Sequence, residues 1–187
     1  EFSPPNRIIM GAGPSNVKPL VLKAMSNNIL GHLDPSFLGC LEDVVTMLRI
    51  VFNTKNRLTL AISGTGSAGM ESALSNVLEP DDKIIIGQNG YFSERMMEMA
   101  IRVGARPIPV TTEWGLPIDA GSIEEALNKN NGTKAIAIVH AETSTGVLQN
   151  IKDISYLAKK HNALLIVDAV TTLGGSPVSV DEWGIDI

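Results

Sequence analysis

Three polar segments of the chain each follow a short apolar run, and their residue types could bind charged groups. The first is Ser63–Gly69, whose glycines would let a ligand approach the backbone closely. A helix that begins in such a turn offers free N–H groups and a positive dipole end, which favour phosphate. The hydroxyls of Thr65 and Ser67 add donors. A tight turn without a ligand is the alternative interpretation.

The second segment is centred on Asp168, which closes the apolar run Leu164–Val167. A carboxylate at the end of a buried strand is unfavourable unless a cation accompanies it. That cation could be a side chain, a metal or the protonated ring of a ligand. An aspartate that merely caps a helix or stabilises a turn is the simpler alternative.

The third segment, Thr143–Gly146, offers three hydroxyls and a glycine, and a turn that satisfies its own backbone explains it equally well. His140 and Glu142 precede it and could suggest a metal. However, His32 and His161 do not have the spacing that would complete such a site, so we expect no metal.

The glycines of the first segment also match G-x-G-x-x-G, the pattern of dinucleotide-binding turns. That pattern requires an acidic residue near the end of the next strand, to bind a ribose. Here the next apolar run ends in Ile86–Asn89, and Asp81 and Asp82 precede it instead. Dinucleotide binding is therefore the weaker alternative.

Phe92 follows the same run, at the start of a predicted helix. Its ring could stack on a flat ligand, although its spacing alone favours a place in the core. The Phe92 ring and the hydroxyl-rich turn at Thr143–Gly146 are expected to lie near Asp168, at the same edge.

The elements that would position these segments are alternating strands and helices. Strands are predicted over Leu58–Ile62, Lys83–Ile86, Arg106–Val110, Lys134–Val139 and Leu164–Val167, and helices over Ala68–Leu78, Tyr91–Val103, Ser122–Asn128 and Ile151–His161. The strands are continuously apolar, so both sheet faces should be covered. The predicted fold class is α/β, with a mostly parallel sheet flanked by helices and ligands bound beyond the carboxyl ends of the strands.

The start of the chain follows a different pattern. Residues 1–18 contain Pro4, Pro5 and Pro14 and predict an extended N-terminal arm. Pro19 can begin a short helix to Asn27. Asp34-Pro35 predicts the start of a longer helix whose apolar residues recur up to Phe52. Further along, Ser122 and Glu125 have capping-box spacing. We expect one domain.

Composition narrows the possible functions. Of 187 residues, 44% are apolar and 4% aromatic, and 15 basic residues stand against 20 acidic ones. A packed core is expected, and nucleic-acid binding is disfavoured because stacking rings and excess positive charge are both lacking. The single cysteine, Cys40, fits a reducing compartment. No apolar run approaches the roughly 18 residues that span a membrane. We expect a cytoplasmic protein, although the natural termini, with any targeting signal, need not be those of this chain.

Taken together, these segments resemble the class V, fold-type I family of pyridoxal 5'-phosphate (PLP) aminotransferases, in the alanine–glyoxylate and serine–glyoxylate branch. The order and spacing of the matching pieces are specific, and they cover almost the whole chain. They are Pro5–Arg7, Met10–Asn16, Ile62–Ser67, Met70–Glu71, Asn89–Phe92, His140–Gln149, Val167–Val170, Leu173–Gly175 and Val180–Asp186. One departure is Gly11-Ala12-Gly13-Pro14, where the family usually has Gly-Pro-Gly-Pro.

The resemblance implies a role for each matching residue. Thr65, Gly66 and Ser67 match the turn that holds the cofactor phosphate. Phe92 and Val170 match the residues on the two faces of the pyridine ring. Thr143 matches the hydroxyl near the phenolic oxygen of the ring. Asp168 matches the catalytic carboxylate that pairs with the ring nitrogen, so one phosphorylated, protonated heterocycle would account for both charged segments.

The resemblance also implies what the chain contains and what it does. Residues 19–187 would be the N-terminal part of a PLP-binding large domain, truncated before the catalytic lysine, which the family places roughly ten residues beyond a Gly-Ile-Asp segment. The expected reaction is PLP-dependent amino transfer from alanine or serine to glyoxylate in a homodimer, whose N-terminal arms cross to the partner. Ureidoglycine–glyoxylate transamination, or desulfurase or lyase chemistry, are the alternatives.

Overall fold

A computed structural model describes residues 3–187, and the chain forms two compact units, the first ending at Asp43 and the second covering Val44–Ile187. Glu1 and Phe2 of the predicted arm lie outside the described residues. In the first unit, residues 3–18 contain neither helix nor strand. Helix α1 (Pro19–Met25) begins at Pro19 as predicted, and α2 (Pro35–Val51) begins after Asp34, whose Oδ1 accepts from the Ser36 N–H at 2.8 Å.

The second unit has the predicted alternation of strands and helices. Its elements are α3 (Gly66–Val77), β1 (Lys83–Gln88), α4 (Tyr91–Arg102), β2 (Arg106–Thr111), α5 (Ala120–Lys129), β3 (Ala135–Val139), β4 (Ala141–Glu142), β5 (Val147–Leu148), α6 (Ile151–Lys160), β6 (Leu164–Asp168) and α7 (Val180–Trp183). Four strands form a parallel sheet in the order β2-β1-β3-β6, and β4 and β5 form a separate antiparallel pair. The α/β prediction is confirmed.

Both faces of the parallel sheet are covered at its centre, which explains why β3 and the middle of β1 are apolar and buried. Successive side chains of a strand point to opposite faces. Ile85 accordingly belongs to the core cluster that includes α5 and α6, whereas Ile84 and Ile86 belong to the cluster that includes α3 and α4. The three isoleucines have no exposed surface. This packing fixes the carboxyl ends of the strands at one edge.

Two local predictions were wrong. Leu58–Ile62 is not a strand: its backbone pairs with no strand of residues 3–187, and Leu58 and Ile62 are 84% and 47% exposed. Helix α5 begins at Ala120 and not at Ser122, because the carboxylate of Asp119 caps it by accepting from the Ser122 N–H at 2.9 Å. The capping box of Ser122 and Glu125 does not form, since Glu125 instead pairs with Lys129 on the helix surface.

Among residues 3–187, no helix has both the length and the apolar character that crossing a membrane requires.

Candidate active site

A cavity of about 150 Å³ lies where β3 and β6 end and where α3 and α4 begin. All seven residues predicted from the sequence line it, and four further lining residues were not predicted. The lining comprises Thr65, Gly66, Ser67, Phe92, Thr143, Asp168 and Val170, with Met70, Val139, Ala141 and Thr171 in addition. The structure thus brings the three polar segments together, while the roles of their residues stay predictions.

The start of α3 forms one wall of the cavity. Thr65 occupies the N-cap position with an extended backbone, but its side chain does not cap the helix. The Ala68 and Gly69 N–H groups bond back to the Thr65 carbonyl, at 2.9 and 3.4 Å. In a helix the first N–H groups have no partner within it, which leaves those of Gly66 and Ser67 available. We call Thr65–Ser67 the α3 turn.

Gly66 also brings the α3 turn close to the opposite wall. A Cβ atom added to Gly66 would lie 3.0 Å from Cγ2 of Val170, so a side chain there would displace either the valine or the turn. Glycine at position 66 is therefore what allows the α3 turn to approach Val170 this closely.

Asp168 ends β6 at the base of the cavity, opposite Val139 in the strand register. Its Oδ1 accepts from the Val170 N–H at 3.0 Å. Burial raises the pKa of the Asp168 carboxyl above its ordinary value; the Val170 N–H opposes this and the negative charge of Glu142 adds to it. The site therefore disfavours the carboxylate until a cation is present.

Two threonines complete the polar side of the cavity. The hydroxyls of Thr143 and Thr171 lie 2.6 Å apart, and either can be the donor. One hydroxyl hydrogen is thus used between them and the other is free to point at a ligand. The partnership with Thr171 could not be predicted, because 28 residues separate the two positions.

Glu142 has a role at α4 that the sequence did not predict. It is 1% exposed, and its carboxylate accepts from the backbone N–H groups of Phe92 at 3.1 Å and Ser93 at 3.2 Å. The Ser144 hydroxyl donates to it at 2.7 Å and accepts from the Tyr91 N–H at 3.0 Å. Glu142 therefore neutralises the positive start of α4, and in doing so fixes the backbone of Phe92.

Gly90 makes room for this arrangement. A Cβ atom there would overlap the side chain of Glu142 and lie 2.6 Å from the Ser144 oxygen. The backbone of Gly90 is extended, with a φ of 171°, so the requirement for glycine is steric.

Arg95 is a second residue that sequence reasoning missed. It lies one turn beyond the start of α4, and its Nη1 donates to the Ser67 hydroxyl oxygen at 2.8 Å. The spacing of 28 residues left no local signal for the contact.

The His140 ring is held by contacts within the chain. Its Nδ1 lies 2.9 Å from the Thr172 hydroxyl, and its ring packs edge-on against Trp183 with centroids 5.4 Å apart. Burial lowers the pKa of His140, which favours the neutral ring. Among residues 3–187, no three His, Cys, Asp or Glu side chains are grouped so that they could hold a metal ion.

Comparison with known proteins places this chain in a family. The model of the family described as aminotransferase class-V matches residues 11–187. The chain belongs to the class-V aminotransferases. It is 42% identical over 186 residues to (S)-ureidoglycine–glyoxylate transaminase of Bacillus subtilis, and 40% identical over 186 residues to alanine–glyoxylate aminotransferase of Mus musculus. These alignments cover all of this chain, but only 44% and 45% of the relatives.

Solved structures agree. The crystal structure of an alanine–glyoxylate aminotransferase from Nostoc sp. superposes with a TM-score of 0.95 at 42% identity, over 99% of this chain and 49% of that one. The class-V chain therefore has the fold of the PLP-dependent aminotransferases, and it spans about half the length of the relatives it matches.

The cavity of the class-V chain fits the cofactor of that fold. The α3 turn offers free N–H groups and hydroxyls to an anion. Asp168, whose pKa is raised by burial, lines the same cavity. Phosphate and a protonated pyridine nitrogen are complementary to these two features.

Proposed function

We propose that the complete protein containing this chain is a PLP-dependent aminotransferase that moves the amino group of a small amino acid to glyoxylate. The observation that carries the proposal is the combination, in one cavity, of an uncapped helix start with a half-buried carboxylate whose pKa is raised. PLP, when bound, supplies an electron sink for the bond changes at the substrate Cα.

Each residue of the cavity has a defined task in this proposal. The N–H groups of Gly66 and Ser67 and the hydroxyls of the α3 turn bind the phosphate. Asp168 pairs with the pyridine nitrogen and keeps it protonated, which is what makes the ring accept electrons. Phe92 and Val170 pack against the ring, and Thr143 donates towards its phenolic oxygen. These contacts orient the ring and exclude water from it.

The amino donor is the part of the proposal on which the relatives differ. One relative is named for ureidoglycine and another for alanine, and both names include glyoxylate. We propose alanine or serine as the donor to glyoxylate, with ureidoglycine as the second candidate. Desulfurase or lyase chemistry is less well supported, because Phe92 in the stacking position cannot transfer a proton.

The remaining proposals concern the complete protein. The lysine that binds the cofactor covalently follows Ile187, the protein is a cytoplasmic homodimer, and the arm of residues 1–18 crosses to the partner subunit. Light scattering on the complete protein measures its molar mass in solution. A fully active monomer would contradict the proposed homodimer.

The proposed reaction is tested with the purified complete protein. Each donor is added alone to the PLP-loaded protein and the cofactor absorbance is followed, and glycine formation is then measured after glyoxylate is added. We expect alanine or serine to change the spectrum and to yield glycine. A preference for aromatic or dicarboxylic donors would show that the proposed substrate class is wrong.

A further inference from the structure

Arg95 is held behind the α3 turn by contacts to two residues. Its Nη1 donates to the Ser67 hydroxyl oxygen at 2.8 Å, and its Nη2 lies 3.4 Å from the Tyr91 hydroxyl. The guanidinium carbon also lies over the Tyr91 ring, 5.4 Å from its centroid. The side chain is half-buried, so the guanidinium has a defined position next to the cavity.

The charge of Arg95 is not neutralised by a nearby carboxylate. The salt bridges found in residues 3–187 do not include Arg95. Arg102, on the same helix, differs because it faces Glu98 at 3.8 Å with both side chains mostly exposed. The two partners that hold Arg95 are neutral hydroxyls, so its positive charge remains available to an anion at the α3 turn.

The contact with Ser67 also sets the direction of a hydroxyl hydrogen. A guanidinium can only donate, so the Ser67 oxygen must be the acceptor in this bond. The Ser67 hydrogen then points elsewhere, and Ser67 lines the cavity. A hydroxyl that accepts a bond from a cation is in turn a stronger donor, because neighbouring hydrogen bonds polarise one another.

We propose that Arg95 is a positioning residue for a phosphate monoester bound at the α3 turn, acting through the Ser67 hydroxyl. This inference rests on the proposed function, in which that phosphate belongs to PLP. Arg95 itself does not line the cavity, and its effect on the ligand is to orient and polarise the Ser67 hydroxyl donor.

The test compares PLP with pyridoxal, which has the same ring and no phosphate. Equilibrium binding of both compounds is measured on the complete protein and on its Arg95→Met, Arg95→Lys, Ser67→Ala and Arg95→Met/Ser67→Ala variants. Removal of a charge-assisted hydrogen bond should weaken PLP binding by about 10-fold in Arg95→Met. Pyridoxal binding should change less than about twofold, and Arg95→Lys should recover part of the loss.

Two further comparisons separate the proposed route from other effects. If Arg95 acts through Ser67, the double variant should bind PLP about as weakly as Ser67→Ala alone. Arg102→Met is the matched control on the same helix and should bind both compounds like the parent. Circular dichroism shows which variants fold, and Arg95→Lys carries the comparison should Arg95→Met fail to fold.

Several outcomes would overturn the inference. Equal losses for PLP and pyridoxal would mean that Arg95 only supports the fold, and additive losses in the double variant would mean that it does not act through Ser67. Unchanged PLP binding in Arg95→Met would exclude any role of Arg95. If Arg95→Met does not fold, an Arg95→Lys variant that binds PLP and pyridoxal with the same change in affinity would exclude it as well. A parent protein that does not bind PLP would instead contradict the proposed function.

Discussion

Helices α3 and α4 begin at the same cavity, but their first turns are completed in different ways. The start of α4 receives the buried carboxylate of Glu142, which accepts from the N–H groups of Phe92 and Ser93. The start of α3 receives no side-chain cap from Thr65, and Gly66 and Ser67, whose N–H groups have no partner within the helix, line the cavity. One helix start is neutralised within the chain, and the other is left for a ligand.

The two acidic residues near the cavity differ in the same way. Glu142 is bound by backbone N–H groups and by the Ser144 hydroxyl. Asp168 receives one hydrogen bond from residues 3–187, from the Val170 N–H, and its pKa is raised by burial. The comparison teaches that Glu142, which holds the start of α4, is satisfied by partners within the chain, whereas Asp168 forms no ion pair among residues 3–187.

The largest effect is expected from Asp168→Asn in the complete enzyme. The amide keeps the shape but cannot hold the pyridine nitrogen in its protonated form. A loss of about 3–5 kcal/mol at the transition state would lower kcat by about 10²–10⁴-fold, with a much smaller change in PLP content. Both quantities are measured on one folded preparation. Turnover within about threefold of the parent would mean that Asp168 is not the partner of the ring.

Thr65→Asp would give α3 the internal anion that α4 already has. A carboxylate cap should stabilise the cofactor-free protein by about 0.5–1 kcal/mol. Repulsion of the phosphate should weaken PLP binding on the order of 1,000-fold, since like charges about 4 Å apart repel by about 4 kcal/mol at an effective dielectric constant of about 20. Thermal unfolding and PLP titration measure the two effects. Thr65→Ser is the control, and equal PLP affinity in the aspartate variant would place the phosphate elsewhere.

Glu142→Gln removes the internal anion from α4. The glutamine keeps one acceptor oxygen, so in either orientation its NH₂ faces at least one backbone N–H group, of Ser144 or of Phe92 and Ser93, that has lost its acceptor. A buried unsatisfied polar group costs about 1–3 kcal/mol of unfolding free energy. Urea denaturation of the complete protein measures the loss. Glu98→Gln, on the exposed side of α4, should stay within about 0.5 kcal/mol of the parent. Similar stabilities of the two variants would show that the Glu142 cap contributes little.

The smallest effect concerns pH and the cofactor-free protein. Because the folded pKa of Asp168 is raised above its ordinary 3.8, its protonated form favours the fold below that pH. That contribution is lost as pH rises through the folded pKa. Asp168→Asn, which cannot ionise, should therefore unfold at a higher temperature than the parent at neutral pH, and the difference should vanish below pH 3.8. A constant difference across the titration would contradict the burial of Asp168.

The sequence predicted the parts of this site that depend on strand order. Thr143 lies beyond β3 and Asp168 ends β6, and parallel strands bring their carboxyl ends to one edge, so these two residues meet at the cavity. The α3 turn reaches the same cavity, although the apolar run before it, Leu58–Ile62, is not a strand. Glu142 and Arg95 were not predicted, because each acts on a helix or turn that lies far away in the sequence.

The incorrect prediction of a strand before the α3 turn shows another limit of sequence patterns. Leu58–Ile62 has the composition of a strand, but a strand also requires a hydrogen-bonding neighbour, and residues 3–187 provide none. The start of α5 was misplaced for a more local reason, since Asp119 offered a better cap than Ser122.

The steric fit of Gly90 against Glu142 constrains how this sequence can diverge. Alanine at position 90 would collide with a glutamate side chain that its hydrogen bonds hold in place. A smaller residue at position 142 would relieve that collision. On its own, however, that change would remove the carboxylate that accepts from the first N–H groups of α4. Each single substitution is therefore harmful in the background of the other native residue. Positions 90 and 142 should be inherited as a pair, and an exchange at one should be tolerated only in lineages that have already changed the other.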